Sequence, residues 1–386
     1  MDNGAGMPLD IRVLEVMKPY FLEYYGNASS SHSFGNIAKE ALVSSREQIA
    51  HLVNAEKPQE IIFTSGGTES NNLAIKGAAI RNKANGNHII TTAIEHISVI
   101  NICKHLQKQG FEVTFIPVDK QGVVDLEKFE EAINDKTILI SVLYANGEIG
   151  TIQPIKDIGR LAKEHNVLFH VDAVAAAGKV PIDVTKENID LLSLSSNDMY
   201  GPKGVGALYI RKGTKIVPII QGGGQEDGLR SGTENIPGIV GMGKASELAI
   251  AEMDSESKRL TKLRDKLIKG VLETIAHSFL NGHLTERLPN NANLRFSYIE
   301  GESLILGLDM NGIQVSSGSA CTSKTLQPSH VLLAIGLAHE EAHGSLVFTM
   351  GKQNHKEDVD YVIEVLPDVV KRLRALSPLT PKEILR

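Results

Sequence analysis

Glu60-Ile61-Ile62-Phe63-Thr64-Ser65-Gly66-Gly67-Thr68-Glu69-Ser70 reads as a short apolar strand, a glycine turn and the start of a helix. A brief apolar run of this kind, closed by glycine, suits a strand covered on both faces. The pattern recurs from about residue 34 to 211, with strands expected at Glu60–Ser65, His88–Ala93, Glu112–Pro117, Thr137–Asn146, Val167–Val171, Leu191–Ser196 and Ala207–Arg211. Helical patterns fall between them. Ile37, Ala41, Leu42, Ile49, Leu52 and Val53 mark one apolar stripe, and Val99, Ile102, Cys103 and Leu106 another. Strands alternating with helices predict an α/β fold on a mostly parallel, doubly wound sheet. A charged helical pattern from about Gly238 to Ile275 then leaves this first domain, with the boundary expected near Asp254. A strand near Ala292–Tyr298, a helix near Ser303–Leu308, a Gly/Ser-rich loop at Ser316–Ala320, a strand near Leu346–Met350 and a helix from about Lys356 complete the pattern.

The 386 residues suffice for two domains at about 100–200 residues each. With 42% hydrophobic and 22% charged residues, and no apolar run near the roughly 18 residues of a membrane span, a soluble globular protein is expected. The 46 acidic and 40 basic side chains leave a net charge of -6, without the basic excess of phosphate-backbone binders, so neither nucleic acid nor membrane is an expected partner. Two cysteines, Cys103 and Cys321, cannot build a disulfide framework, and Met1-Asp2-Asn3-Gly4 opens no signal peptide. A cytoplasmic location is expected.

Several segments are candidates for chemistry. The Gly66-Gly67-Thr68 turn would offer free helix-start N–H groups and a positive dipole end to a phosphate, although an ordinary strand-to-helix turn reads the same. Asp172 closes an apolar strand, where open α/β sheets bind ligands, and could hold a pyridinium nitrogen or merely cap a helix. His96 sits at a similar junction. Cys321 lies in Val315-Ser316-Ser317-Gly318-Ser319-Ala320-Cys321-Thr322-Ser323, too polar to pack as core, which makes it the nucleophile candidate; Cys103, on a helical apolar stripe, reads as an inert hydrophobe. His339-Glu340-Glu341-Ala342-His343 matches H-E-x-x-H, the zinc metallopeptidase spacing, but Gly336 and Gly344 leave at most two turns of helix and no third ligand is evident beyond a distant Glu364.

Taken in order, further blocks join these: Gly26-Asn27, Ser29-Ser30 and His32; Thr68-Glu69-Ser70-Asn71-Asn72; Glu95-His96; Gly222-Gly223-Gly224-Gln225-Glu226; Arg230-Ser231-Gly232-Thr233-Glu234-Asn235; and Pro328-Ser329-His330 after the Cys321 loop. Over almost the whole chain the sequence resembles a cysteine desulfurase of the NifS/IscS class, a pyridoxal-phosphate (PLP) protein of aminotransferase fold type I. The resemblance implies a large PLP-binding domain over 13–254 and a small α+β domain made of 1–12 and 255–386. It implies that Gly67 and Thr68 hold the cofactor phosphate with Ser195 and a partner subunit's Thr233, that His96 stacks on the pyridine ring, and that Asp172 pairs with its nitrogen. Cys321 would take sulfur from L-cysteine as a persulfide, leaving L-alanine, and pass it to an IscU-type iron–sulfur scaffold protein. A homodimer follows.

Departures cluster at the reacting centre. Where the family has Ser-x-His-Lys, with the lysine that forms the imine with PLP, this chain reads Ser195-Ser196-Asn197-Asp198. A Gln and an Asn that support the cofactor correspond to Ala175 and Gly147, the substrate-carboxylate Arg to Val347, and the early Ala-Thr-Thr-Pro block to Ala5-Gly6-Met7-Pro8. Lys203 also occurs beside the family's lysine and is not read as its replacement. A carboxylate cannot form an imine, so PLP chemistry is expected to be absent or strongly impaired, with PLP held non-covalently if bound. The alternative is a non-catalytic assembly partner that offers Cys321 as a cluster ligand or sulfur relay; a distant alternative is a zinc metallopeptidase through His339, Glu340 and His343.

Overall fold

The computed structural model describes residues 1–318 and 328–384. Strands β1 (Ile61–Thr64), β2 (His88–Thr92), β3 (Glu112–Ile116), β4 (Thr137–Leu143), β5 (Leu168–Asp172), β6 (Leu191–Ser195) and β7 (Gly206–Ile210) form one sheet in the order β1-β7-β6-β5-β4-β2-β3. The pairs β3/β2, β2/β4, β4/β5 and β5/β6 are parallel. β7 runs antiparallel to both neighbours. The link 196–205 between β6 and β7 holds no crossover helix, and a parallel return would need one of a dozen residues or more. The strands β2, β4 and β6 are buried throughout, which explains why apolar residues point to both faces of each, as at Ile89-Ile90, Ile138-Leu139-Ile140 and Leu191-Leu192.

Helices α1 (Ile11–Met17), α2 (Pro19–Leu22), α3 (Ser33–Leu52), α4 (Gly67–Asn82), α5 (Ile97–Gln107), α6 (Leu126–Ala132) and α7 (Ile155–Glu164) accompany this sheet. α8 (Ile236–Thr274) follows as a single run of 39 residues. Its first half gives Ile239, Met242 and Ala245 to the core under the large sheet. The second half gives Leu260, Leu267 and Val271 to another core. That core packs on an antiparallel sheet, β10-β9-β8, of β8 (Ser278–Asn281), β9 (Asn291–Phe296) and β10 (Ser345–Thr349). Helices α9 (Gly301–Asp309), α10 (His330–Ala334), α11 (His339–His343) and α12 (Lys356–Leu376) complete the chain. The N-terminus joins the second sheet, since Asp2 bridges Thr349 and Asn3 Nδ2 donates to the Thr349 carbonyl at 2.9 Å. Asp254, read from the sequence as a boundary, lies inside α8, which passes through it without a break. Among the described residues no helix is long and apolar enough to cross a membrane.

Candidate active site

Asp172 ends β5 at the carboxyl edge of the parallel strands, buried, with both carboxylate oxygens engaged. Oδ1 accepts the Val174 N–H at 3.1 Å and Oδ2 accepts Asn71 Nδ2 at 2.7 Å. Asn71 Nδ2 also donates to Ser98 Oγ at 3.0 Å, and Ser98 Oγ lies 2.7 Å from His96 Nδ1. One hydrogen-bonded chain therefore runs Asp172–Asn71–Ser98–His96, joining two candidate site residues of the sequence through Asn71, which the sequence reading quoted without a role, and Ser98, which it did not name. His96 also caps α5, its Nδ1 accepting the Ser98 N–H at 3.2 Å. Asn71 Oδ1 is buried without a partner among the described residues, an acceptor still free at the edge of the site.

The glycine turn lies directly above the sheet edge. Thr64 in β1, Gly206 in β7 and Ser195 in β6 share one register level. A Cβ on Gly206 would fall 2.6 Å from the Gly66 Cα, so glycine there lets the Gly66-Gly67 loop settle beside Ser195. Gly66 itself has φ 147°, a backbone region natural only to glycine, and caps the 16-residue α4. Gly67 meets Val174, where a Cβ would come within 2.5 Å of Cγ2. The turn is braced by Glu69, which accepts the Ser65 N–H at 2.7 Å and pairs with Arg230 at 2.9 Å. The first-turn N–H groups of α4 thus point from a rigid, positively polarised helix end, a seat for an anion.

Asp198 follows β6 in a single 3-10 turn, Asn197–Met199. Burial pushes its carboxyl up from the ordinary range; Lys179, a hydrogen bond with Ser195 and His96 oppose that rise, and Asp172 adds to it. Lys179 Nζ donates to the carbonyls of Ala175 at 3.0 Å and Asp198 at 3.2 Å. Burial lowers this ammonium while Asp198 raises it. Within β5, His170 bridges Ser141 and Ser193 at 2.9 Å each and is held neutral, its pKa pushed down to about 3 by burial.

The structure brings Gly67, Ser195, Asp198, Asp172 and His96 into one neighbourhood. Thr233 stands apart, exposed on the loop between β7 and α8. That loop is pinned by Glu226, whose carboxylate takes Arg46 at 2.6 Å and the Phe63 N–H at 2.8 Å. Cys321 lies outside the described residues. Gly147 and Ala175 are spatial neighbours, since a Cβ on Gly147 would sit 3.6 Å from the Ala175 Cβ. Val347 is buried in β10, and Lys203 is exposed, its Nζ 3.3 Å from where a Gly6 Cβ would stand. The H-E-x-x-H motif forms the five-residue α11, whose His339, Glu340 and His343 are exposed. No group of three or more potential ligands gathers there or elsewhere among the described residues. Lys179 and Asn71 carried little signal in the sequence; an amide inside the apolar α4, a poor helix former at that position, was the available hint for Asn71.

The profile of the class-V aminotransferase family matches residues 1–362. A cysteine desulfurase IscS 1 from Archaeoglobus fulgidus is 58% identical over 98% of each chain, and a cysteine desulfurase IscS from Methanosarcina thermophila is 56% identical over 99% of this chain and 94% of its own length. A solved NifS-like protein superposes with a TM-score of 0.90 at 40% identity, covering 96% of this chain and 99% of the other. With the family profile covering residues 1–362 and relatives of this identity matching almost end to end, the chain belongs to the class-V aminotransferase family, in the IscS/NifS class of cysteine desulfurases.

Proposed function

We propose that this chain is a cysteine desulfurase-family protein of iron–sulfur assembly that keeps a non-covalent PLP site and has little or no covalent cofactor chemistry of its own. The observation that carries this reading is the burial of the acid Asp198 beside Asp172 and His96, at the position that the resemblance to the family's Ser-x-His-Lys run would give to the lysine. The remaining residues fit the cofactor. Asp172 would hold the proton of the pyridine nitrogen, its charge kept in place by Asn71 and the Val174 N–H. His96 would lie against the ring. Gly67, Thr68 and Ser195 would bind the phosphate at the start of α4, and Thr233, exposed on its loop, would reach the same cup from a second copy of the chain. Exposed Phe21, Leu22 and Tyr25 give that second copy an apolar contact surface.

When bound, PLP supplies an electron sink for the amino acid's α-carbon. The thiolate of Cys321 would attack the sulfur of L-cysteine. Its S–S bond would form as the substrate C–S bond breaks; the balanced products are L-alanine and a Cys321 persulfide, whose outer sulfur would go to a scaffold protein. Asp198 can hold a proton near the ring but cannot anchor the cofactor through nitrogen. Its position favours a second reading, in which the protein serves an IscU-type partner without catalysis and Cys321 acts as a cluster ligand or sulfur relay. The same reading takes 13–254 as the cofactor-binding unit, with 1–12 and 255–386 as the unit that presents Cys321.

The test compares the protein with Asp198→Lys. For the wild type, dialysis removes PLP, borohydride leaves the chain mass unchanged, and alanine release from cysteine with added PLP is slow or absent. Asp198→Lys gains the mass of reduced cofactor and partial activity, since Val347, Gly147 and Ala175 still lack the family's contacts. Covalent PLP on the wild-type chain overturns the reading. Slow alanine release that depends on added PLP excludes the non-catalytic alternative, and release at the ordinary rate of the family overturns both readings.

A further inference from the structure

Glu69 stands in the first turn of α4, two residues after Gly67, at the helix end whose N–H groups are open to an anion. Its Oε2 accepts the Ser65 N–H at 2.7 Å, which fixes the entry to the glycine turn. A helix start attracts negative charge, and this carboxylate is such a charge already in place. Unpaired, it would stabilise the empty turn and repel a dianion at the same N–H groups. Arg230 meets it. Nε donates to Oε1 at 2.9 Å and Nη2 to Oε2 at 3.4 Å, with the Arg230 side chain 23% and the Glu69 side chain 10% exposed. At that burial the pair is less screened by solvent than an ordinary surface ion pair.

The loop that delivers Arg230 is itself fixed. The Gly224 N–H donates to Ser231 Oγ at 3.3 Å and the Gly232 N–H to Gln225 Oε1 at 2.9 Å, which closes the loop on itself. Glu226 ties it to β1 through the Phe63 N–H and to α3 through Arg46. Glu226 and Asp227 hold left-handed φ values of 49° and 54°, a conformation that such residues keep only where their surroundings impose it. Arg230 is thus presented to Glu69 by a braced loop.

We propose that Glu69 and Arg230 are the positioning pair of the anion seat: Glu69 sets the turn by holding the Ser65 N–H, and Arg230 cancels the charge that would otherwise repel a phosphate. This rests on reading the start of α4 as the seat of the cofactor phosphate, and it makes the affinity of that seat depend on two side chains that need not touch the anion. The sign of the charge separates such a pair from a simple brace. Were the pair only a brace, loss of either partner would loosen the turn and weaken binding. In a charge-cancelling pair the two losses differ in sign. Arg230→Gln leaves an unpaired carboxylate beside the seat, whereas Glu69→Gln leaves an unpaired guanidinium and keeps an oxygen that can accept the Ser65 N–H.

Equilibrium dialysis of the full chain against inorganic phosphate, at about pH 8 where the anion carries close to two charges, reads this at about 0.02 M and about 0.5 M ionic strength. At low salt Arg230→Gln weakens phosphate binding by at least about threefold, the size expected for one unpaired charge within about 8 Å of a dianion. Glu69→Gln binds as tightly as wild type or tighter. The double variant Glu69→Gln/Arg230→Gln returns to within about twofold of wild type, and high salt draws all four proteins together. Arg230→Lys, which keeps the charge, stays within about twofold and supplies the comparison if Arg230→Gln does not fold. A wild type that binds no phosphate, a Glu69→Gln protein weakened as much as Arg230→Gln, a double variant without recovery, or an Arg230→Lys protein as weak as Arg230→Gln overturns the proposal. The same series with PLP separates the two claims. Phosphate binding that follows the charges in a protein that takes up no PLP counts against the PLP reading alone, and PLP uptake by a protein whose phosphate affinity ignores both substitutions counts against the pair alone.

Discussion

Replacing Asp172 by Asn keeps the shape of the side chain and removes its charge. In the wild type both oxygens accept, from the Val174 N–H at 3.1 Å and Asn71 Nδ2 at 2.7 Å. An amide at 172 can offer only one oxygen, so its NH2 must face one of these donors. If the oxygen stays on Val174, Asn71 can flip and present Oδ1, the atom that now has no partner among the described residues. The flip brings the same oxygen toward Ser98, which must then donate to Asn71 and give up its bond to His96 Nδ1. About one neutral hydrogen bond is lost in the free protein, a cost of about 1 kcal/mol. The bound cofactor loses more, because a charge-assisted bond to the pyridine nitrogen contributes about 1.5–3 kcal/mol, or roughly 10- to 150-fold in Kd. The chain has no Trp to report binding by fluorescence, so equilibrium dialysis against PLP is the assay, with urea unfolding as the control for fold. A folded Asp172→Asn protein whose Kd for PLP stays within twofold of wild type would refute the assignment of Asp172 to the ring nitrogen.

Glu226→Ala strands Arg46, whose side chain is 14% exposed, and the Phe63 N–H, and should cost about 3–5 kcal/mol by urea unfolding. Glu226→Gln, which retains one acceptor, should cost less. Gly67→Ala forces a methyl against Val174 at 2.5 Å, so PLP and inorganic phosphate should both bind more weakly by dialysis; adding Val174→Ala should restore much of the loss by reopening the space. His170, with its folded pKa near 3 below the unfolded value of about 6.5, is neutral when native, so stability is lost as pH falls below about 6.5. His170→Gln should flatten the decline of the urea midpoint between pH 7 and 5, while an unchanged slope would assign that decline to other groups.

The elements of the fold were legible because their physics is local. Strands such as Ile89-Ile90 in β2 and Leu191-Leu192 in β6 are apolar on both faces because helices cover both. Asp172 was legible for a related reason: a carboxylate closing an apolar strand stands out against its neighbours, and the edge of such a sheet is where ligands gather. The short β8, half exposed and polar at both ends, gave no such contrast, and the continuity of α8 past Asp254 was hidden because a charged stretch looks alike inside one long helix and between two units.

What joins the site was decided only in three dimensions. Asn71 connects Asp172 and Ser98 across 101 and 27 residues of chain. Arg230 meets Glu69 across 161. Hydrogen bonds of this kind leave no periodicity, because each needs only one polar side chain at one end of a strand or helix, and the sheet order that brings those ends together depends on pairing between segments far apart in the sequence. The sequence by itself determined the residue types at the candidate site, among them an acid at 198. Tertiary structure decided that this acid is buried beside Lys179 and Asp172, where low polarity makes its charge costly and leaves it nothing to offer a cofactor but a proton or a hydrogen bond.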